Sequence, residues 1–455
     1  MSAPTDAPVS DADRLKAEAI AHTLFPLMSQ ADLHATGPRI YLEGEGARLV
    51  DANGTSYLDM TSAHTRANSL GYGNHEIARA VYEQLATVHY VGTRNNSSEP
   101  AIRLASKIAE KTPGDLDRLF FVSGGSEAVE SALKIAKQYQ LANGKPRAQK
   151  VISRWNAYHG ATMGALGASD WIGLRHVMEP TVPGYSFIPA PMNYRNPFGM
   201  EEEAYNDLCA TYLERQIEHE GPDYVAVFIA EPVMQANGVQ IPPVSYLQRV
   251  REICDRYGVL WIDDEVITGF GRTGDWFNIE RAGVVPDLMT MAKAMTAGYL
   301  PMGGVAVRGE IADGLGIFRH LHTFSAHAGV AACSLKVIEI MERDNLVEKA
   351  RNDGAYFTDA LRQALEPMAI VGQVRGAGMW QAVDTTSDKR SRAPFTDDTV
   401  AAIVARLYQH GVTANAAGTA IEFAPPYTIS RSDLDLAVEL TARSIAEVMK
   451  ERGLG

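Results

Sequence analysis

Val259-Leu-Trp-Ile-Asp-Asp-Glu-Val-Ile-Thr-Gly-Phe-Gly-Arg-Thr-Gly274 is the stretch whose reading decides the fold. Its apolar head, 259–262, reads as a short buried strand that delivers Asp263, Asp264 and Glu265 to its carboxyl end. Just upstream, Tyr246, Leu247, Val250, Ile253, Cys254 and Tyr257 recur at helical spacing, and Gly258 stops that helix. The same alternation appears on the amino side. Residues 119–122 predict a strand, followed by a Gly-Gly-Ser turn and a helix over 127–140, and 151–154 and 224–230 predict further strands. Strands alternating with helices imply an α/β fold with a mostly parallel sheet covered on both faces. Ligands of such sheets bind beyond the carboxyl ends of the strands.

Outside this region the texture differs. Between Pro38 and Met60 short strand-like runs surround Asn53-Gly54, a hairpin signal. After residue 333 the chain reads as α+β, with a polar loop (TTSDKRSRAPF), a helix over 398–409 and a last helix near 433–450. We therefore expect a large domain over 66–332 and a smaller α+β domain formed from both chain ends, 1–65 and 333–455. Residues 1–15, polar and Pro-containing, read as a loose terminus.

The length of 455 residues exceeds the ~250–300 at which one core stops growing, in keeping with two domains. Lys+Arg number 42 and Asp+Glu 55, a net charge of 42 − 55 = −13, and no basic stretch is present. Nucleic acid is an unsuited partner. No apolar run approaches the ~18 residues of a membrane span, and the first twenty residues lack the pattern of a secretory signal. Three dispersed cysteines (Cys209, Cys254, Cys333) fit a reducing compartment, so a cytoplasmic location is expected.

Four local features carry chemistry. In Phe120-Phe-Val-Ser-Gly-Gly-Ser-Glu-Ala128 a strand runs through glycines into a helix, leaving backbone N–H groups free to cup a phosphate. The plainer reading makes Ser126 an N-cap. The fingerprints G-x-G-x-x-G and Walker A are absent here. The three acids at 263–265 alternate faces, so at most two converge on a cation or on a cationic ring nitrogen. Lys293 stands among Met291, Ala292, Ala294 and Met295, a setting that desolvates an amine and makes it a nucleophile toward aldehydes. Trp155-Asn-Ala-Tyr-His-Gly160 offers an aromatic face. A phosphate cup, a carboxylate, an amine and an aromatic ring together match pyridoxal 5′-phosphate (PLP).

With D-E-V-I-T-G-F-G-R-T-G, A-K-A and His322-Thr-Phe-Ser-Ala-His327 in order, the chain resembles a class III (omega) aminotransferase of the fold-type-I PLP enzymes, from about residue 25 onward. The resemblance implies that Lys293 joins the cofactor aldehyde and shuttles the substrate proton. It also implies that Asp264 pairs with the pyridine nitrogen, that Val266 and Tyr158 pack on the two ring faces, and that Gly125 and Ser126 bind the phosphate. Glu231 would lie near the phenolic oxygen. Thr323 would reach the phosphate of a neighbouring subunit, which implies a homodimer, with a tetramer also possible. The implied reaction moves an amino group from a primary amine or ω-amino acid to a 2-oxo acid such as pyruvate. A lyase, racemase or decarboxylase on the same scaffold is the alternative.

The sequence departs from the family at informative places. The phosphate loop reads G-G-S-E-A in place of S-G-S-E-A or S-G-T-E-A. Asn415 stands where relatives acting on α-keto acids often carry an arginine. Conversely, Arg66 occupies a position commonly aromatic in the amine–pyruvate members, and Arg94 lies in a second pocket-lining segment. Both are expected to bind substrate, favouring one with an acidic group. No metal is expected: His320, His322 and His327 lack ligand spacing and read as structural. Met291, Met295 and Met302 read as core, and His159 as a residue that orients local backbone.

Overall fold

A computed structural model of the protein describes residues 10–92 and 94–454. Its centre is a seven-stranded sheet in the order Arg118–Val122, Gly303–Val307, Leu288–Met291, Leu260–Asp264, Val225–Ala230, Lys150–Arg154, Tyr185–Ile188. The five strands from Leu288–Met291 to Tyr185–Ile188 pair in parallel. Gly303–Val307 alone runs antiparallel to both its neighbours. Every residue of Val225–Ala230 and Leu260–Asp264 is buried, which is why the first reads as an unbroken apolar run and the second as apolar until its two closing acids.

The expected helices are present with shifted ends. The helix after the first sheet strand is Gly125–Ala142 and starts two residues before the expected 127. Its N-cap is Gly124, so Ser126 lies inside the first turn and is not the cap. Gly258 ends Val244–Tyr257 with φ of 61°, a conformation that favours glycine. The later helices run Thr399–Gln409 and Arg431–Arg452. The loose terminus expected over 1–15 is corrected in part. Residues 1–9 lie outside the described residues, but Asp11–His22 is helical, capped by the Ser10 hydroxyl accepting from the Asp13 N–H.

Both chain ends contribute small antiparallel sheets. Tyr41–Glu45, Arg48–Asp51 and Ser56–Leu58 form one, with the Asn53-Gly54 turn between the last two. Val371–Ala377, Trp380–Thr385, Ala420–Phe423 and Asn415–Ala417 form the other. Backbone hydrogen bonds sew the ends together: Leu58 N–H donates to Gly411 O (2.8 Å), Thr413 N–H to Leu58 O (3.0 Å) and Ala424 N–H to Met60 O (2.7 Å). Among the described residues no helix is long and apolar enough to cross a membrane.

Candidate active site

All strands but Gly303–Val307, six of the seven, point the same way and end along one edge of the sheet. Just past those ends stand Gly125 and Ser126, Tyr158, Glu231, Asp264 and Lys293. All of them, with Val266, line one inner cleft of about 180 Å³. Tyr158 and Lys293 also line a wider outer cleft of about 580 Å³, together with Arg66, His64, Trp171 and Asn415. The two clefts meet at the amine.

Of the three consecutive acids, only Asp264 faces the inner cleft. Its Oδ2 lies 2.6 Å from His159 Nδ1, and its Oδ1 accepts from the Thr290 hydroxyl (2.8 Å) and the Val266 N–H (3.2 Å). Glu265 turns to the opposite side, where Oε1 accepts from Ile279 N–H (2.9 Å) and Oε2 from the Thr268 hydroxyl. Asp263 is buried with neither oxygen hydrogen-bonded. Burial first, and then the neighbouring Glu265 and Asp264, hold its carboxyl well above the usual range. Strand alternation thus selects one carboxylate in three.

Lys293 follows the strand Leu288–Met291 at φ 47°, strained for a residue with a side chain. Burial and, second, the charge of Arg66 push its amine down to about 8. An amine so shifted is far more often uncharged near neutrality than an ordinary lysine. At the helix start, space is tight. A Cβ on Gly125 would sit 2.9 Å from Val266 Cγ1, and one on Gly160 would sit 2.6 Å from Ser126 Oγ.

The family model for aminotransferase class-III matches residues 30–445. The chain belongs to that family. This aminotransferase is 34% identical to putrescine–pyruvate aminotransferase of Pseudomonas aeruginosa, over 93% of this chain and 94% of that protein. Among solved structures it is similar to an (S)-enantioselective omega-transaminase from Thermomicrobium roseum, with a TM-score of 0.93 and 38% identity, covering 97% of this chain and 100% of that one. The omega transaminase from Pseudomonas jessenii in complex with PMP gives a TM-score of 0.94 at 31% identity, with 97% and 99% covered. The fold is therefore that of the fold-type-I PLP transaminases, and the cofactor is pyridoxal 5′-phosphate.

The aminotransferase's own residues fit that group. Gly125 and Gly160, with Ser126, line one end of that cleft, and a Cβ on either glycine would clash with its neighbours. Glu231 Oε2 is buried without a hydrogen bond, 3.6 Å from the Arg154 guanidinium, and His159 Nε2 is likewise unpaired. Such buried polar atoms call for a polar occupant of the cleft. Burial raises the Glu231 carboxyl above its ordinary value.

The remaining expected residues distribute unevenly. Arg66 lines the outer cleft and is nearly buried. Arg94 is exposed and lines neither cleft of this chain. Thr323 is also exposed, on a segment held by the Tyr90 hydroxyl donating to Thr323 O. Asn415 lines the outer cleft, tied to His64 through its Oδ1 (3.0 Å from Nδ1) and its Nδ2 (3.2 Å to His64 O). His320 Nε2 lies 3.0 Å from the Ser131 hydroxyl, and the described residues contain no group of three or more metal-ligating side chains.

Sequence reasoning missed His159 as a partner of Asp264, and missed Thr290 and Glu422. His159 was signalled only by its place beside Tyr158. Glu422 is the sole charged residue in the buried strand Ala420–Phe423, which is a readable anomaly.

Proposed function

We propose that this aminotransferase moves an amino group from a primary amine or ω-amino acid to a 2-oxo acid, with pyruvate the simplest candidate. The observation that carries the reading is the position of Lys293, whose amine borders both the inner cleft and the outer cleft. When bound, PLP supplies a conjugated ring that accepts the electron pair left as the substrate carbon loses its proton. Asp264, fixed by His159 and Thr290, would pair with the ring nitrogen. Gly125 and Ser126 take the phosphate at the helix start. Tyr158 and Val266, which line the same cleft, would bound the ring, and Tyr158 is braced edge-to-face on Trp171 at 5.6 Å between centroids. Lys293, whose amine burial pushes down to about 8, would hold the proton that leaves the substrate carbon. Arg66 holds an acidic group of the substrate.

The same reading makes the enzyme a homodimer. Thr323 serves a neighbouring copy, and Arg94 would face the same neighbour. Leu321 and Phe324 on that segment, and Tyr82, Leu85, Val88 and Val91 before it in the chain, are large apolar side chains left exposed, as a subunit contact would need. Three buried, unpaired cysteines suit a cytoplasmic location. Lys293→Ala tests the assignment. The purified variant should lose turnover and the visible absorbance that its lysine gives with the cofactor, and full activity would overturn the reading.

A further inference from the structure

Arg66 sits in an unusual backbone. Ser62 (φ 47°), Ala63 (60°), His64 (61°) and Arg66 (63°) all occupy the left-handed region, and none is glycine. Such a segment persists only where its surroundings over-determine it. Here Asp59 Oδ2 accepts from Ala63 N–H (2.8 Å) and Thr61 Oγ1 from His64 N–H (3.0 Å). The Ser62 hydroxyl donates to Ala424 O (2.6 Å). Wholly buried Arg272 donates to Arg66 O (3.3 Å) and to Ser62 Oγ (3.2 Å).

The guanidinium is gripped as firmly as the backbone. Arg66 Nε donates to Glu422 Oε1 (2.6 Å) and Nη2 to Oε2, a fork-to-fork pair. Glu422 is wholly buried, and its Oε1 also accepts from the Trp380 indole N–H. One edge of the fork, with donors on Nε and Nη2, is thereby spent inward, and Nη1 is left for the outer cleft that Arg66 shares with Lys293. Opposite, Asn415 brings no charge and its amide is bound to His64. The cleft's Asp170 is paired with Arg175 at 2.7 Å. Arg66 is thus the one fixed cation beside the amine among the described lining residues.

We propose that Glu422 is a positioning residue that makes Arg66 a permanent, immobile carboxylate receptor, so that donors carrying a carboxylate are preferred over matched plain amines. The inference rests on the aminotransferase reading above. A mobile arginine could withdraw before an uncharged substituent. This one cannot, because withdrawal would strand the buried charge of Glu422. An alkyl group set against Nη1 would desolvate an N–H without replacing its partner, and such a group is penalised. Glu422 also offsets the guanidinium's charge, so recognition relies on directed hydrogen bonds more than on long-range attraction.

Matched donors test this: alanine against 2-aminopropane, and β-alanine against 1-aminopropane, each with 2-oxobutyrate as acceptor, so that 2-aminobutyrate reports every donor, and with the holoenzyme. The acid should exceed its matched amine in kcat/KM by about 10- to 100-fold, the span expected of a hydrogen bond to a charged group. In Glu422→Gln and Glu422→Leu that ratio should fall at least to a third, the loss appearing in KM for the acid. Because both donors are measured in one preparation, the ratio does not depend on how much variant folds. Amines used as readily as their acids by the unaltered enzyme, or an unchanged ratio in both variants, would overturn the proposal while leaving transamination intact. Failure of every donor to give an equal amount of aminated product would instead overturn the aminotransferase reading itself.

Discussion

Asp264 Oδ2 lies 2.6 Å from His159 Nδ1, with both side chains buried. The imidazole reaches Asp264 from the turn after Lys150–Arg154, two strands away in the sheet, so the carboxylate is oriented by a residue from a separate element. Asp264→Asn should lower kcat by about 100- to 1,000-fold, the cost of removing one preorganised electrostatic partner. His159→Asn, which leaves the carboxylate in place but removes a partner that orients it, should cost less, about 10- to 100-fold. Steady-state kinetics on the two variants check the order. Equal losses would mean that His159 does more than orient.

The lowered pKa of Lys293 has a consequence for the protein without cofactor. The folded value is about 8 against an ordinary 10.5, so the unfolded chain binds more protons between those two limits. Stability should therefore rise with pH across that window, and the full penalty of the buried ammonium is present below it. Replacing Lys293 by Met removes the penalty. The Tm advantage of Lys293→Met over the unaltered apoprotein should be largest below pH 8 and shrink toward pH 10.5, as followed by thermal melts. A constant difference would contradict the assigned shift.

Gly125 is needed for space, since its φ is not in the left-handed region. An alanine there would place Cβ 2.9 Å from Val266 Cγ1 and 3.7 Å from Ala292 Cβ, forcing the wall of the inner cleft to move. Gly125→Ala should weaken PLP binding by about tenfold or more, the equivalent of at least one lost contact of 1–2 kcal/mol. Titration of the apoprotein with PLP, read by absorbance, measures it. Unaltered affinity would place the phosphate elsewhere.

Much of this architecture was legible because it is local. The strand-to-turn-to-helix at 118–142, the acids after 260–262 and the lysine after 288–291 each depend on neighbours within a few residues. The antiparallel course of Gly303–Val307 was not legible, since an apolar run carries no direction. The start of the helix at Asp11 was missed because its face is polar, although Ser10 and Asp13 signal a cap. Arg66 and Glu422 meet across 356 positions of chain, and no spacing rule reaches that far. The sequence could mark Arg66 as out of place, but only the fold shows what holds it.

Subunit association offers a separate test. Phe324 and Leu321 are exposed on the segment that carries Thr323. Leu321→Glu together with Phe324→Glu should convert dimers to monomers, as measured by sedimentation velocity, and reduce PLP affinity by removing the neighbour's Thr323. A variant that stays dimeric, or a monomer with full activity, would contradict the shared site.

The most direct measurement is the stoichiometry of the half-reaction. Holoenzyme is mixed with alanine and no oxo acid, and pyruvate is counted against active sites. One pyruvate should form per site before the reaction halts, with turnover restored on adding a second 2-oxo acid. Continued product formation without an acceptor would contradict it.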